Sequence, residues 1–132
     1  MNGHVRLILL AVALSALTIA ATLLSPKAVS LPVLGVLLGF IAGIYLGFAL
    51  LDGRRRYVAI ESGFIAVTVS LAGLGLVVSP LFLGAGYILH GIWDALHHEA
   101  RGVPTRIVRF WPPFCAVYDL LVGVFVCFWF PT

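Results

Sequence analysis

Five apolar runs, Leu7 to Leu24, Leu31 to Leu51, Val58 to Val78, Leu81 to His98 and Phe114 to Phe130, dominate the chain and decide its solvent. At about 1.5 Å of rise per helical residue each is roughly 25 to 32 Å long, the scale of a hydrocarbon core about 30 Å thick. Of 132 residues, 62% are hydrophobic and 10% charged, and a soluble fold of this size has too few polar residues here to build its outer shell. The expectation is an all-α polytopic membrane helix bundle, a single integral membrane domain over residues 1–132 with the lipid bilayer as its partner. Disorder, a nucleic-acid module and a disulfide scaffold are excluded, because the eight Lys/Arg are dispersed and there are two Cys. Cys115 and Cys127 lie twelve positions apart on one run, too far along a helix for the Cα separation of about 7 Å that a disulfide tolerates. Each reads as a small core residue.

Turn chemistry separates the runs at Ser25-Pro26-Lys27, at Asp52-Gly53-Arg54-Arg55-Arg56, at Ser79-Pro80 and in the segment from Glu99 to Pro113. Five spans with a cytoplasmic N-terminus place Arg6, Arg54, Arg55, Arg56, Arg101, Arg106 and Arg109 inside and only Lys27 outside, as the positive-inside rule requires. The chain is therefore expected in the cell (inner or plasma) membrane as a multi-pass protein. Two alternatives reduce the count to four spans. The fourth run, carrying Asp94, His97 and His98, can be an amphipathic interfacial helix, and Met1 to Ala21, with His4 and Arg6 ahead of an apolar stretch, can be a signal sequence. Within the last connection, Thr105 is placed to cap a short interfacial helix with Arg106 and Arg109 on one side; an ordinary polar loop is the competing reading. Pro112-Pro113 suits a helix start. Tyr57 and Trp111 on the inside, and Phe128, Trp129 and Phe130 on the outside, fall where aromatic belts belong.

The second run contains Gly35, Gly39, Gly43 and Gly47. Small residues four apart let two backbones approach closely in lipid, so one strip of this helix is expected to pack against protein: another span, a second copy in a homo-oligomer, or a larger membrane partner.

The pattern that calls for chemistry is His90-Gly-Ile-Trp-Asp94-Ala-Leu-His97-His98. At about 100° of rotation per helical residue, positions 90, 94, 97 and 98 fall within a single arc about 100° wide. Leu83, Gly86, Tyr87 and Gly91 share or flank that arc, and Ile88, Leu89, Ile92 and Leu96 form the lipid-compatible side. Two further acids lie near span starts, Glu61 and Asp119. Counted from the inner side, Glu61, Asp94 and Asp119 sit about 6 to 9 Å deep and His90 about 12 Å, with His97 and His98 at the rim. An ionisable group at such depth costs on the order of 2.5 to 3.5 kcal/mol on insertion scales and marks function. His with Asp or Glu is the ligand set of Zn, Fe or Mn sites. The candidate metal ligands are His90, Asp94, His97 and His98, with Glu61 and Asp119 as candidate catalytic carboxylates that complete or orient the site or serve as general base. The purely structural alternative pairs Glu61 with Arg54 to Arg56 and Asp119 with Arg106 or Arg109, and leaves His97 and His98 as a solvated helix end.

Asp94-x-x-His97-His98 resembles the H-x-x-H-H box of membrane fatty-acid desaturases and hydroxylases, with Asp in the first His position. That resemblance implies a di-iron oxygenase, from which this chain departs: those enzymes use about eight His across several boxes, and this chain has four. The H-G-x-W-D-x-x-H-H block before a basic loop also resembles small uncharacterised bacterial integral membrane proteins, which imply no activity.

Three functions are open at this level. A divalent-metal enzyme would act on a lipid-like or apolar substrate at the cytoplasmic interface. An accessory or structural membrane subunit would use the glycine strip and would leave that face exposed in the isolated chain. An ion or proton transporter would need polar groups continuing to the outer face, where only Thr68, Ser70, Ser79 and Tyr87 are available on spans three and four. No P-loop, dinucleotide fingerprint or zinc Cys pair is present.

Overall fold

The computed structural model describes residues 2–98 and 102–130; the expectations placed on Met1, Glu99 and Arg101 lie outside them. Five helices follow one another: α1 (Gly3–Leu24), α2 (Lys27–Asp52), α3 (Arg55–Val77), α4 (Pro80–His97) and α5 (Trp111–Trp129), with no strand among the described residues. Breaks fall at the expected turn residues. Gly53 closes α2 with φ at 76°, a left-handed cap that other residues adopt at a cost. Pro80 opens α4, and Pro112 and Pro113 open α5, where the missing N–H is not needed. By length and composition α1, α2, α3 and α5 can each cross a membrane, and the chain is a membrane protein.

α4 is the shortest and the least lipid-like because it carries the ionisable residues, yet it does not lie across an end of the bundle. It packs most extensively on α5 and then on α3, while α2 packs on α3, α1 packs on α5, and α1 and α2 barely touch. Ile92 and Leu96 keep an exposed apolar side, and Leu83, Gly86, Tyr87, His90, Gly91, Asp94 and His97 are buried. α4 runs antiparallel to both neighbours: Leu83 meets Gly75 and His97 meets Glu61 on α3, and Gly84 meets Cys127 and His90 meets Asp119 on α5.

The close helix crossings are not where the glycine strip predicts. A Cβ on Gly84 would collide with Cys127 and come within 3.1 Å of the Gly123 carbonyl, and one on Gly91 would lie 3.2 Å from the Ala116 carbonyl. Here α4 and α5 touch backbone to backbone, the contact that small residues permit in lipid. On α2, a Cβ on Gly35 would make ordinary contact with Leu76 and one on Gly39 would barely reach Val69, while at Gly43 and Gly47 it would meet nothing within 4 Å among the described residues.

The core divides into two layers. Leu34, Leu38, Leu83, Tyr87, Tyr118, Val122, Val126 and Phe130 fill one apolar cluster. Phe130 is therefore a core residue and not a belt anchor. Its neighbour Trp129 does face outward, with the Lys27 ammonium 4.9 Å above its ring and 2.9 Å from its carbonyl oxygen. At the opposite end, where α2 and α4 finish and α3 and α5 begin, the interior is polar.

Segment 103–108 carries no helix, and Arg109–Phe110 form only a turn. The short interfacial helix is absent because stronger partners claim its residues. Thr105 donates its hydroxyl to Glu61 Oε1 at 2.8 Å, and the Arg106 N–H donates to Asp52 Oδ2 at 3.0 Å. Arg54 forks onto Asp52 at 2.8 and 2.7 Å and also donates to the Pro104 carbonyl at 2.8 Å. Its hydrogen bond to Asp52 pushes the Arg54 pKa above its ordinary value. The segment is thus a strap tied across the polar end.

Candidate functional site

Among the described residues, five carboxylate or imidazole side chains are buried in the polar layer: Glu61, His90, Asp94, His97 and Asp119. None of these acids meets an arginine among the described residues, so the purely structural pairing is not the one adopted. The helices sort the five side chains into two groups that differ in one physical respect.

The first group is satisfied. Glu61 Oε1 faces His97 Nε2 at 2.8 Å and accepts from Thr105, and its Oε2 accepts from the Trp93 indole N–H at 3.0 Å. His97 Nδ1 donates to the Trp93 carbonyl, one turn back on α4, at 2.8 Å. Since a carbonyl can only accept, Nδ1 carries a proton. A second proton then lies between Nε2 and Oε1, whichever atom holds it. Trp93 is fixed by stacking on Phe64, with ring centroids 4.0 Å apart and planes 6° apart. Every polar atom of Glu61 and His97 has a partner.

The second group is not satisfied. His90 Nδ1 lies 2.8 Å from Asp119 Oδ2 and 3.4 Å from Asp94 Oδ2. All three residues are fully buried. Tyr45, on α2, donates its hydroxyl to Asp94 Oδ1 and sets its ring edge-on to His90 at 5.4 Å and to His97 at 5.0 Å. Yet among the described residues His90 Nε2, Asp94 Oδ2 and Asp119 Oδ1 have no hydrogen-bond partner. Buried polar atoms are normally paired, and each orphan costs about 1 to 3 kcal/mol. Three orphans in three contacting residues of ligand-forming type fit a cation. His90, Asp94 and Asp119 each offer one ligand atom, all within 4.8 Å of one another. Tetrahedral metal bonds near 2.1 Å set ligand pairs about 3.4 Å apart, so the cluster would close by up to about 1.4 Å around an ion.

The candidate ligands are accordingly divided. His90 and Asp94 come together with Asp119, which the sequence casts as a catalytic carboxylate. His97 turns to Glu61, and His98, half-exposed, lines a cavity of about 650 Å³ together with His4, His97, Thr105, Arg106 and Arg109. Asp94, His97 and His98 do not converge, so the desaturase-like box is not a ligand set here. Sequence reasoning passes over Tyr45, although a signal exists: seven residues from the end of α2 places it about 10 Å deep, level with His90, and a buried tyrosine needs a partner for its hydroxyl.

Fold and layer together define a helical membrane protein with a buried His/Asp cluster able to hold a metal ion. The chain belongs to a family of unknown function, DUF6010, which it matches over residues 6–131. Comparison with curated proteins and with solved structures finds no match.

Proposed function

We propose that this chain is a metal-binding membrane protein in which His90, Asp94 and Asp119 hold a divalent first-row cation. The observation that carries the reading is the contrast within one layer: His97 and Glu61 are fully partnered, whereas the three cluster residues keep three orphaned atoms. One imidazole with two carboxylates suits Zn, Fe or Mn. Tyr45 supports the site from outside by orienting Asp94.

The finer reading is a metal-dependent enzyme acting on a lipid-like substrate at the cytoplasmic face of the inner or plasma membrane. Such an ion would supply Lewis acidity or a metal-activated water. Two features support it: three protein ligands are the number catalytic sites use, and a cavity opens one residue layer away, across Tyr45 and His97. The Glu61–His97 pair borders that cavity and is the group able to hold or pass a proton there.

An accessory-subunit reading is favoured by one observation, the open Gly43–Gly47 half of the α2 strip, which offers a larger membrane partner or a second copy a close-packing surface. Transport has weaker support, since the layer beyond the cluster is filled by Leu34, Leu38, Leu83, Tyr87, Val122 and Val126.

The deciding measurement is the elemental content of detergent-purified protein beside His90→Ala and Asp119→Asn. About one Zn, Fe or Mn per chain in the parent and a several-fold loss in both variants is expected. An empty parent, after growth with each metal supplied, overturns the reading.

A further inference from the structure

The cavity at the polar end has a chemical character of its own. Its lining includes five cationic or potentially cationic side chains, Arg106, Arg109, His4, His97 and His98, and no acid among the described residues. Among the same residues neither arginine side chain makes an ion pair or a hydrogen bond, whereas Arg54 beside them is spent on Asp52 and Pro104. Thr105 and His97, whose outer atoms reach the same space, are locked onto Glu61, so the floor is fixed.

The strap makes the arginine placement a built feature. Gly102, Pro104, Thr105 and Arg106 are each tied through backbone or hydroxyl to Leu96, Arg54, Glu61 and Asp52. The backbone N–H of Arg106 is used by Asp52, and its side chain remains to line the cavity. α5 begins Trp111-Pro112-Pro113, and two prolines carry no N–H, so this helix start offers little to an anion. Recognition there must come from guanidinium groups, whose forked donors match phosphate oxygens. The position is level with helix ends, where a membrane presents its headgroups, and the adjoining α1 surface is apolar, with Val5, Ile8 and Leu9 exposed.

We propose that this cavity binds the phosphate of an anionic amphiphile, with Arg106 and Arg109 as the clamp and His4 and His98 as flanking donors. The proposal stands apart from the metal site and survives its failure. A volume of about 650 Å³ accommodates a headgroup and not a whole lipid, whose chains would run along α1.

The test uses the full chain in nanodiscs of phosphatidylcholine doped with phosphatidic acid or phosphatidylglycerol, with bound lipid counted by native mass spectrometry. The parent should retain the anionic lipid over phosphatidylcholine. R106A/R109A should lose that preference by roughly tenfold or more, the worth of one or two charge-assisted hydrogen bonds. R55A/R56A removes the same charge from the same end outside the cavity and should retain it. A fully folded elution profile and unchanged melting accompany each variant, and R106K/R109K, which keeps charge without the fork, should fall between. Titration with inorganic phosphate separates the two sources of the group: lipid that resists displacement assigns a headgroup, and lipid displaced at millimolar phosphate assigns a soluble phosphoester. Equal losses in R55A/R56A and R106A/R109A, or no preference in the parent, overturn the proposal.

Discussion

Asp119→Asn separates a metal site from a buried ion pair by the sign of its effect. The amide keeps an oxygen able to accept from His90 Nδ1, now 2.8 Å from Asp119 Oδ2, so shape and hydrogen bond are nearly preserved. What disappears is one of two carboxylate charges whose ligand atoms lie within 4.8 Å of each other. With His90 neutral, as a metal ligand must be, two full charges at that distance repel by about 3.5 kcal/mol at an effective dielectric of about 20. With metal chelated, the variant is therefore expected to melt at the same temperature as the parent or higher. With metal restored the order reverses: a cation at a hundredfold excess over its Kd stabilises the parent by about 2.7 kcal/mol, and the variant, short of one ligand, should gain less than a third of that. Thermal unfolding in detergent, followed by the fluorescence of the three tryptophans in EDTA and in excess Zn, Fe or Mn, reads both arms. The reasoning fails if Asp119→Asn loses the roughly 3 to 5 kcal/mol typical of a broken buried pair in EDTA while the parent ignores metal.

Tyr45→Phe removes the donor that orients Asp94 and should weaken metal binding by about 10- to 100-fold in a chelator competition, with the fold intact. Glu61→Gln faces the donors Trp93 and Thr105 with an amide that satisfies only part of them; it should cost about 1 to 3 kcal/mol in melting experiments and leave metal content unchanged. Gly84→Ala drives a methyl into Cys127 and the Gly123 carbonyl and should destabilise by about 1 to 3 kcal/mol. Gly43→Ala meets nothing and should be neutral or raise the melting point by up to about 1 kcal/mol of added stability, from helix propensity alone.

The spans and the polar end were legible because both are counting problems. Run length against bilayer thickness yields the helices, and residue counts from the turns bring Glu61, Asp94 and Asp119 to one depth. Depth does not say which way a side chain leans around its helix, and that decided the partition. His97 is close in angle to His90 on α4, yet it is nearly two turns nearer the helix end, within reach of Glu61 and out of reach of Asp119. The α2 glycines obeyed the four-residue rule without contacting a backbone, whereas Gly84 and Gly91, seven apart on one face of α4, made the close approach to α5. A spacing rule states what a strip permits, and only the packing of five helices states what uses it. Likewise Thr105 has the chemistry of a helix cap, but the Glu61 carboxylate is the stronger acceptor and pulls the segment into a strap.

Tyr45 touches both halves of the polar layer: its hydroxyl is committed to Asp94, and its ring borders His97, whose other neighbour is the arginine-lined space. An occupant of either place that shifts this one side chain changes the other's affinity, and thermodynamic reciprocity makes the two factors equal. Loading of the cluster and occupancy of the cavity would then report on each other through a single phenol, and Tyr45→Phe is the substitution that uncouples them.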